Sequence, residues 1–207
     1  MTRFFLDSQE IAIPFDASSI DQVLKHIENF HLSPNTVVRQ IRIDGLPFLV
    51  DSEEIQDSLL QLDQREKVEV FTGTVTAIAI DSIGGALEYL DRVEAAIPSL
   101  SMTFQTSPGS EAFQHLRQLS EGLYWLTLLL DKLKAGFFRS FEDVLVQGVP
   151  AHAHHQKFIA VLKQLIESQE RMDFVLISDL LQYEILPLVP VWREMFGIIS
   201  KSVNAAQ

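Results

Sequence analysis

The apolar residues of this chain change period once, near Thr72–Thr76, and that change limits what it can fold into. Upstream they alternate in short runs, as in strands with one buried face. Downstream they recur every three or four residues to the end, as in helices. At 207 residues the chain has room for two modest domains. The expected organisation is a mixed α/β module over residues 1–73 and an all-helical one over 74–207.

Arg3–Leu6 and Ile11–Phe15 are predicted strands, the second with Ile11, Ile13 and Phe15 on one face, and Ser8-Gln9 fits a tight turn between them. Asp16-Ala17-Ser18-Ser19 has N-cap chemistry and precedes Ile20, Val23, Leu24 and Ile27 at helical spacing. Pro34-Asn35 breaks the chain. Val37–Ile43 and Leu46–Val50 then read as strands around Asp44-Gly45, a strong hairpin signal. A short helix over Glu53–Leu60 and a strand over Lys67–Phe71 complete the module. This order, β-β-α-β-β-(short α)-β, with Ile20-x-x-Val23-x-x-x-Ile27 in its helix, resembles the β-grasp fold of ubiquitin-like domains over residues 3–72. The resemblance implies a compact docking module. It does not imply conjugation: Thr72-Gly73-Thr74 leads into a helix instead of ending in a Gly-Gly tail, and Gly84-Gly85 sits within a helical stretch.

Four helices are expected beyond the break, forming a four-helix bundle. The first runs over Val75–Ile97 and is ended by Pro98. The second starts at Pro108-Gly109-Ser110 and reaches Ala135; its centre, Leu123–Leu130, is apolar nearly all round and belongs deepest in the bundle. Phe141–Val146 reads as a short helical turn. The third and fourth helices cover Ala151–Gln169 and Asp173–Lys201, and Pro187 and Pro190 should kink or split the last near Leu186. The run Asp179–Leu188 with Trp192 is similar to segments of bacterial helical proteins, a likeness that implies no activity.

Charge and cysteine content exclude whole classes of function. The net charge is −12, with 6 basic against 13 acidic residues in 1–73 and 10 against 15 in 74–207. No window concentrates Lys and Arg, so nucleic acid is not an expected partner. There is no cysteine, hence no disulfide, thiol nucleophile or thiolate metal site. The longest apolar stretches, such as Leu123–Leu130 and Ile185–Trp192, fall short of the ~20 residues of a membrane span. Asp7 and Glu10 interrupt any leader-like stretch, and a cytoplasmic protein is expected.

Catalytic signatures are missing too: no Gly-x-Ser-x-Gly elbow, no phosphate-binding glycine loop. The sole Glu-x-x-His, Glu28–His31, lies in the first module, so the paired set of a di-metal helical bundle is not present. His152, His154 and His155 form a conspicuous cluster, yet neighbours at i+1 and i+2 do not share a helix face, so they rank as weak metal candidates only. Tyr183, Glu184 and Trp192 could line a pocket at the proline-kinked helix. Tyr124-Trp125 should pack on the bundle or on another copy of the chain. The first expectation is a non-enzymatic protein without a cofactor that docks another protein through the sheet face bearing Val38, Gln40, Arg42 and Phe71. The opposite face, with Ile41, Ile43, Val68 and Val70, is needed to cover the helix. The alternative is a bundle that binds a small molecule or metal; a homo-oligomer is compatible with either.

Overall fold

The computed structural model of the chain describes residues 2–13, 19–48, 62, 65–138, 142 and 144–205. They form an α+β protein of two compact units, Met1–Ile78 and Ala79–Gln207, divided a few residues beyond the expected boundary. The expected helix over Glu53–Leu60, the residues Leu49 and Val50, and Phe15 lie outside the described residues.

The first unit is built from β1 (Arg3–Leu6), β2 (Gln9–Ile11), α1 (Ile20–Phe30), β3 (Thr36–Ile43), β4 (Leu46–Phe48) and β5 (Lys67–Thr74). The five strands lie in the order β2-β1-β5-β3-β4. β1 runs parallel to β5, and the other neighbours are antiparallel. β2 begins two residues earlier than expected because Asp7 and Ser8 both take positive φ, 47° and 72°. Two such residues make a tight hairpin turn that seats Gln9 directly opposite Leu6. Asp44-Gly45 forms the same kind of turn, with φ of 50° and 84°, as the sequence implies. Ser19 caps α1 by accepting from the Gln22 N–H at 3.3 Å. Ile20, Val23 and Ile27 on α1 then bury against Ile41, Ile43, Val68 and Val70 of the sheet.

The second unit contains α2 (Val75–Thr106, beginning in the first unit), α3 (Ser110–Phe137), the short strands β6 (Leu145–Val146) and β7 (Val149–Pro150), α4 (Ala151–Glu170), α5 (Phe174–Asp179), a π-helical turn (Leu180–Ile185) and α6 (Leu186–Ala205). Among the described residues five α-helical segments follow the sheet instead of the expected four. α2 passes through Pro98 because that ring is exposed while Leu100, Ser101 and Phe104 beyond it are buried. The Ser101 hydroxyl also bonds the Ser178 hydroxyl at 2.9 Å, and Gln105 donates to the same oxygen at 2.9 Å. Those bonds and that burial outweigh the single hydrogen bond the proline removes. The last helix is divided, as its prolines require. The strain is taken up by the π turn upstream of Pro187, where the Leu186 N–H reaches back five residues to the Leu181 carbonyl. Residues 145–150 form a hairpin, not a helical turn, because Gln147 and Gly148 take φ of 53° and 76°.

One close approach fixes α2 against α3. A Cβ on Gly122 would lie 2.2 Å from the Tyr89 ring, whose hydroxyl donates to the Leu119 carbonyl at 3.0 Å. Burial pushes the Tyr89 phenol up to about 12. Gly122→Ala must expel this ring and is expected to cost about 1–3 kcal/mol. Gly84→Ala, in open space on α2, should instead stabilise by about 0.5–1 kcal/mol. Urea midpoints moving in the same direction for both variants would contradict this packing.

Candidate functional site

The side of the sheet away from α1 carries an ordered array of charge and aromatic rings. Register places Arg3 beside Lys67, Phe5 beside Glu69, Arg42 beside Glu69, and Gln40 beside Phe71. Glu10 of β2 stands across from Phe5 on the same face. Two cations lie against the Phe5 ring, with the Lys67 ammonium 4.7 Å and the Arg3 guanidinium 5.8 Å from its centre. The Arg42 guanidinium lies 5.0 Å from the centre of Phe71. Lys67 also binds the Glu69 carboxylate at 2.7 Å. Each cation–π contact on such an exposed face contributes ~0.5–1 kcal/mol. Their greater effect is to hold long side chains in one conformation, so that a partner need not order them on binding.

Three of the four residues anticipated for this face are there: Gln40, Arg42 and Phe71. Val38 is not. The register between β3 and β5 slips between Val38 and Gln40, leaving Arg39 as an extra residue. This bulge reverses the alternation upstream of it, so Val38 packs on the core around Ile41 and Val70 while Val37 faces outward. Strict alternation, applied without a bulge, misplaced it. Arg3, Phe5, Lys67 and Glu69 join the face instead; they could have been found by pairing β1 with β5, but a parallel pairing leaves no local signal in a sequence.

The alternative pocket does not assemble. Trp192 is fully buried, tilted against Phe158 with ring centres 4.2 Å apart, whereas Tyr183 is 68% exposed. Glu184 turns to Lys157 at 3.4 Å. Nine residues, two and a half helical turns, separate Tyr183 from Trp192, so helical spacing sets one outward where the other is buried. The helix over Phe174–Ala205 is, by length and composition, apolar enough to cross a membrane, although no unbroken apolar run shows this. Its residues Ile177, Leu181, Ile185, Leu188, Met195 and Ile199 are buried against the other helices.

The histidines diverge as well. His154 Nε2 lies 3.0 Å from the Val146 carbonyl, His152 Nδ1 is 3.8 Å from Glu142, and His155 Nδ1 is 3.8 Å from Asp131. Among the described residues no group of three or more ligating side chains could hold a metal ion. His155 is buried edge-on to Trp192, with ring centres 6.2 Å apart, and its Nε2 has no hydrogen-bond partner among the described residues. Burial holds its pKa below the usual imidazole value, with Asp131 opposing the shift and Lys134 and His152 adding to it. The unfolded chain, with a pKa near ~6.5, therefore binds this proton more readily than the folded one. The stability due to neutral His155 is complete above that pH and is lost as pH falls from there through the lowered folded value. The urea midpoint should drop between pH 7.5 and pH 5, and drop less in His155→Gln; equal drops would contradict the assignment.

A family model described as a domain of unknown function, DUF8042, matches residues 81–195, more than half of the chain. No curated protein and no solved structure matches it.

Proposed function

The chain belongs to the DUF8042 family, and we propose that it is a non-enzymatic adaptor whose first unit, read as a ubiquitin-like β-grasp, docks another protein on its outer sheet face. The carrying observation is the array of Arg3, Lys67 and Arg42 around Phe5 and Phe71. Three cations, set against Glu69 and Glu10, stand on one face of a chain with a net charge of −12. Rings and arginines held ready in this way are what central interface residues are made of. Acidic side chains are the complement this face selects, because they extend the ion pairs already present. The order of strands and the helix seated on one side of the sheet support the β-grasp reading. The family region begins after the sheet, which supports separate roles for the docking unit and the helical unit.

The test is charge reversal at Arg42 together with truncation at Phe71. Neither residue belongs to the buried core, so Arg42→Glu/Phe71→Ser should fold as the unaltered chain does. Partner binding measured at ~150 mM salt should fall at least about tenfold, and binding by the unaltered protein should weaken as salt rises. Undiminished capture of every partner by the double variant would sink the proposal.

A further inference from the structure

α3 leaves a row of large apolar side chains in solvent, with Tyr124 59%, Trp125 40% and Leu128 43% exposed. Trp125 meets Tyr89 edge-on with ring centres 6.5 Å apart, and the Arg92 guanidinium lies 5.7 Å from the centre of Tyr89. Charge on the same stripe is arranged symmetrically about Tyr124. Arg117 lies seven residues before it and Asp131 seven residues after it, two turns and ~10 Å along the axis in each direction. Both are exposed, with side-chain accessibilities of 73% and 62%. Arg117 also has Glu121 at 3.6 Å, and Asp131 has His155 at 3.8 Å. Leu128 and Ser120 stand four residues to either side of Tyr124. The Ser120 hydroxyl is already engaged, donating to the Leu116 carbonyl at 2.9 Å and accepting from Gln169 at 3.2 Å.

We propose that the occupant of this face is a second copy of the chain, its α3 antiparallel to the first about a two-fold axis at Tyr124. In that arrangement Arg117 of each copy faces Asp131 of the other, Leu128 of each sits over the small side chain of Ser120 of the other, and the two Tyr124 rings meet at the axis. A stripe whose halves are opposite in charge and complementary in size meets the self-complementarity that a two-fold interface demands. The contact is one helix wide, smaller than a standard interface, so micromolar association is expected. The proposal concerns the helical unit alone and is independent of the sheet-face reading.

Sedimentation equilibrium of the full chain, carried to several hundred micromolar, should show a species of twice the 23.4 kDa chain mass. Arg117→Asp and Asp131→Arg should each raise its dissociation constant about tenfold, and the two together should return it to near the original value, which no purely structural role would do. The chain has no cysteine, so Tyr124→Cys should form one disulfide across the axis under mild oxidation, whereas Ile166→Cys on α4 should not. A chain that stays monomeric throughout, or a dimer indifferent to both charge reversals, would overturn the proposal.

Discussion

Trp192→Ala removes about 3–5 kcal/mol of stability, the usual cost of emptying a tryptophan site in a packed core. The indole is fully buried, with Phe158, Phe196 and His155 around it at ring separations of 4.2, 5.7 and 6.2 Å. These neighbours lie on α4 and α6, so nothing short of moving a helix closes the hole. A loss of that size is a large part of the ~5–15 kcal/mol that separates a folded domain from its unfolded chain. Trp192→Phe should be milder, since it keeps an aromatic ring and deletes an indole N–H that has no hydrogen-bond partner among the described residues. Urea unfolding followed by far-ultraviolet circular dichroism checks both. A midpoint shift for Trp192→Ala no larger than that of Tyr183→Ala, at an exposed site, would contradict the packing described.

Ile41→Asp places a carboxylate at the centre of the sheet core, where Ile41, Ile27 and Val68 are each 0% exposed. Its buried neighbours among the described residues are aliphatic side chains, so the new group must stay protonated or force the sheet apart. The expected loss exceeds about 4 kcal/mol, enough to open a unit of this size. Because the core of the helical unit shares no residue with this one, amides of β3 and β5 should exchange as in an open chain while those of α3 keep their protection. Protection surviving throughout, or vanishing throughout, would show that the two cores are not separate.

The parts of the fold that could be read in advance are those where local chemistry and burial agree. The change of period at Thr72–Thr76 marks the passage from β5 to α2 because one buried face dictates alternation and the other a helical stripe. Asp44-Gly45 and Ser19 act as their chemistry implies. Misreadings arose where tertiary contacts overrode a local rule. Pro98 did not end α2, since Phe104 and the Ser101–Ser178 bonds reward its continuation. Gln147 lacks the asparagine or aspartate signature of its turn, so the β6–β7 hairpin was hidden. At the candidate site, Arg42, Gln40 and Phe71 follow from alternation. Val38 fails by one inserted residue, because a bulge is specified by pairing across strands and not by the strand that carries it. The separation of Tyr183 from Trp192 was legible in the spacing: nine residues are two and a half helical turns, so a stripe that buries Leu181, Ile185 and Trp192 leaves Tyr183 outside it.

The most direct measurement of the docking role is site-specific photo-crosslinking in a lysate of the source cells, with a benzophenone amino acid replacing Phe71 in one protein and Tyr183 in another. Both positions lie outside the buried cores, one on the outer sheet face and one on the π turn. A single partner protein joined from position 71 and absent from position 183, and lost when Arg42→Glu is added, is the expected result. Crosslinks that arise from 183 alone, or that persist unchanged from 71 in the presence of Arg42→Glu, would contradict a docking role for this sheet face.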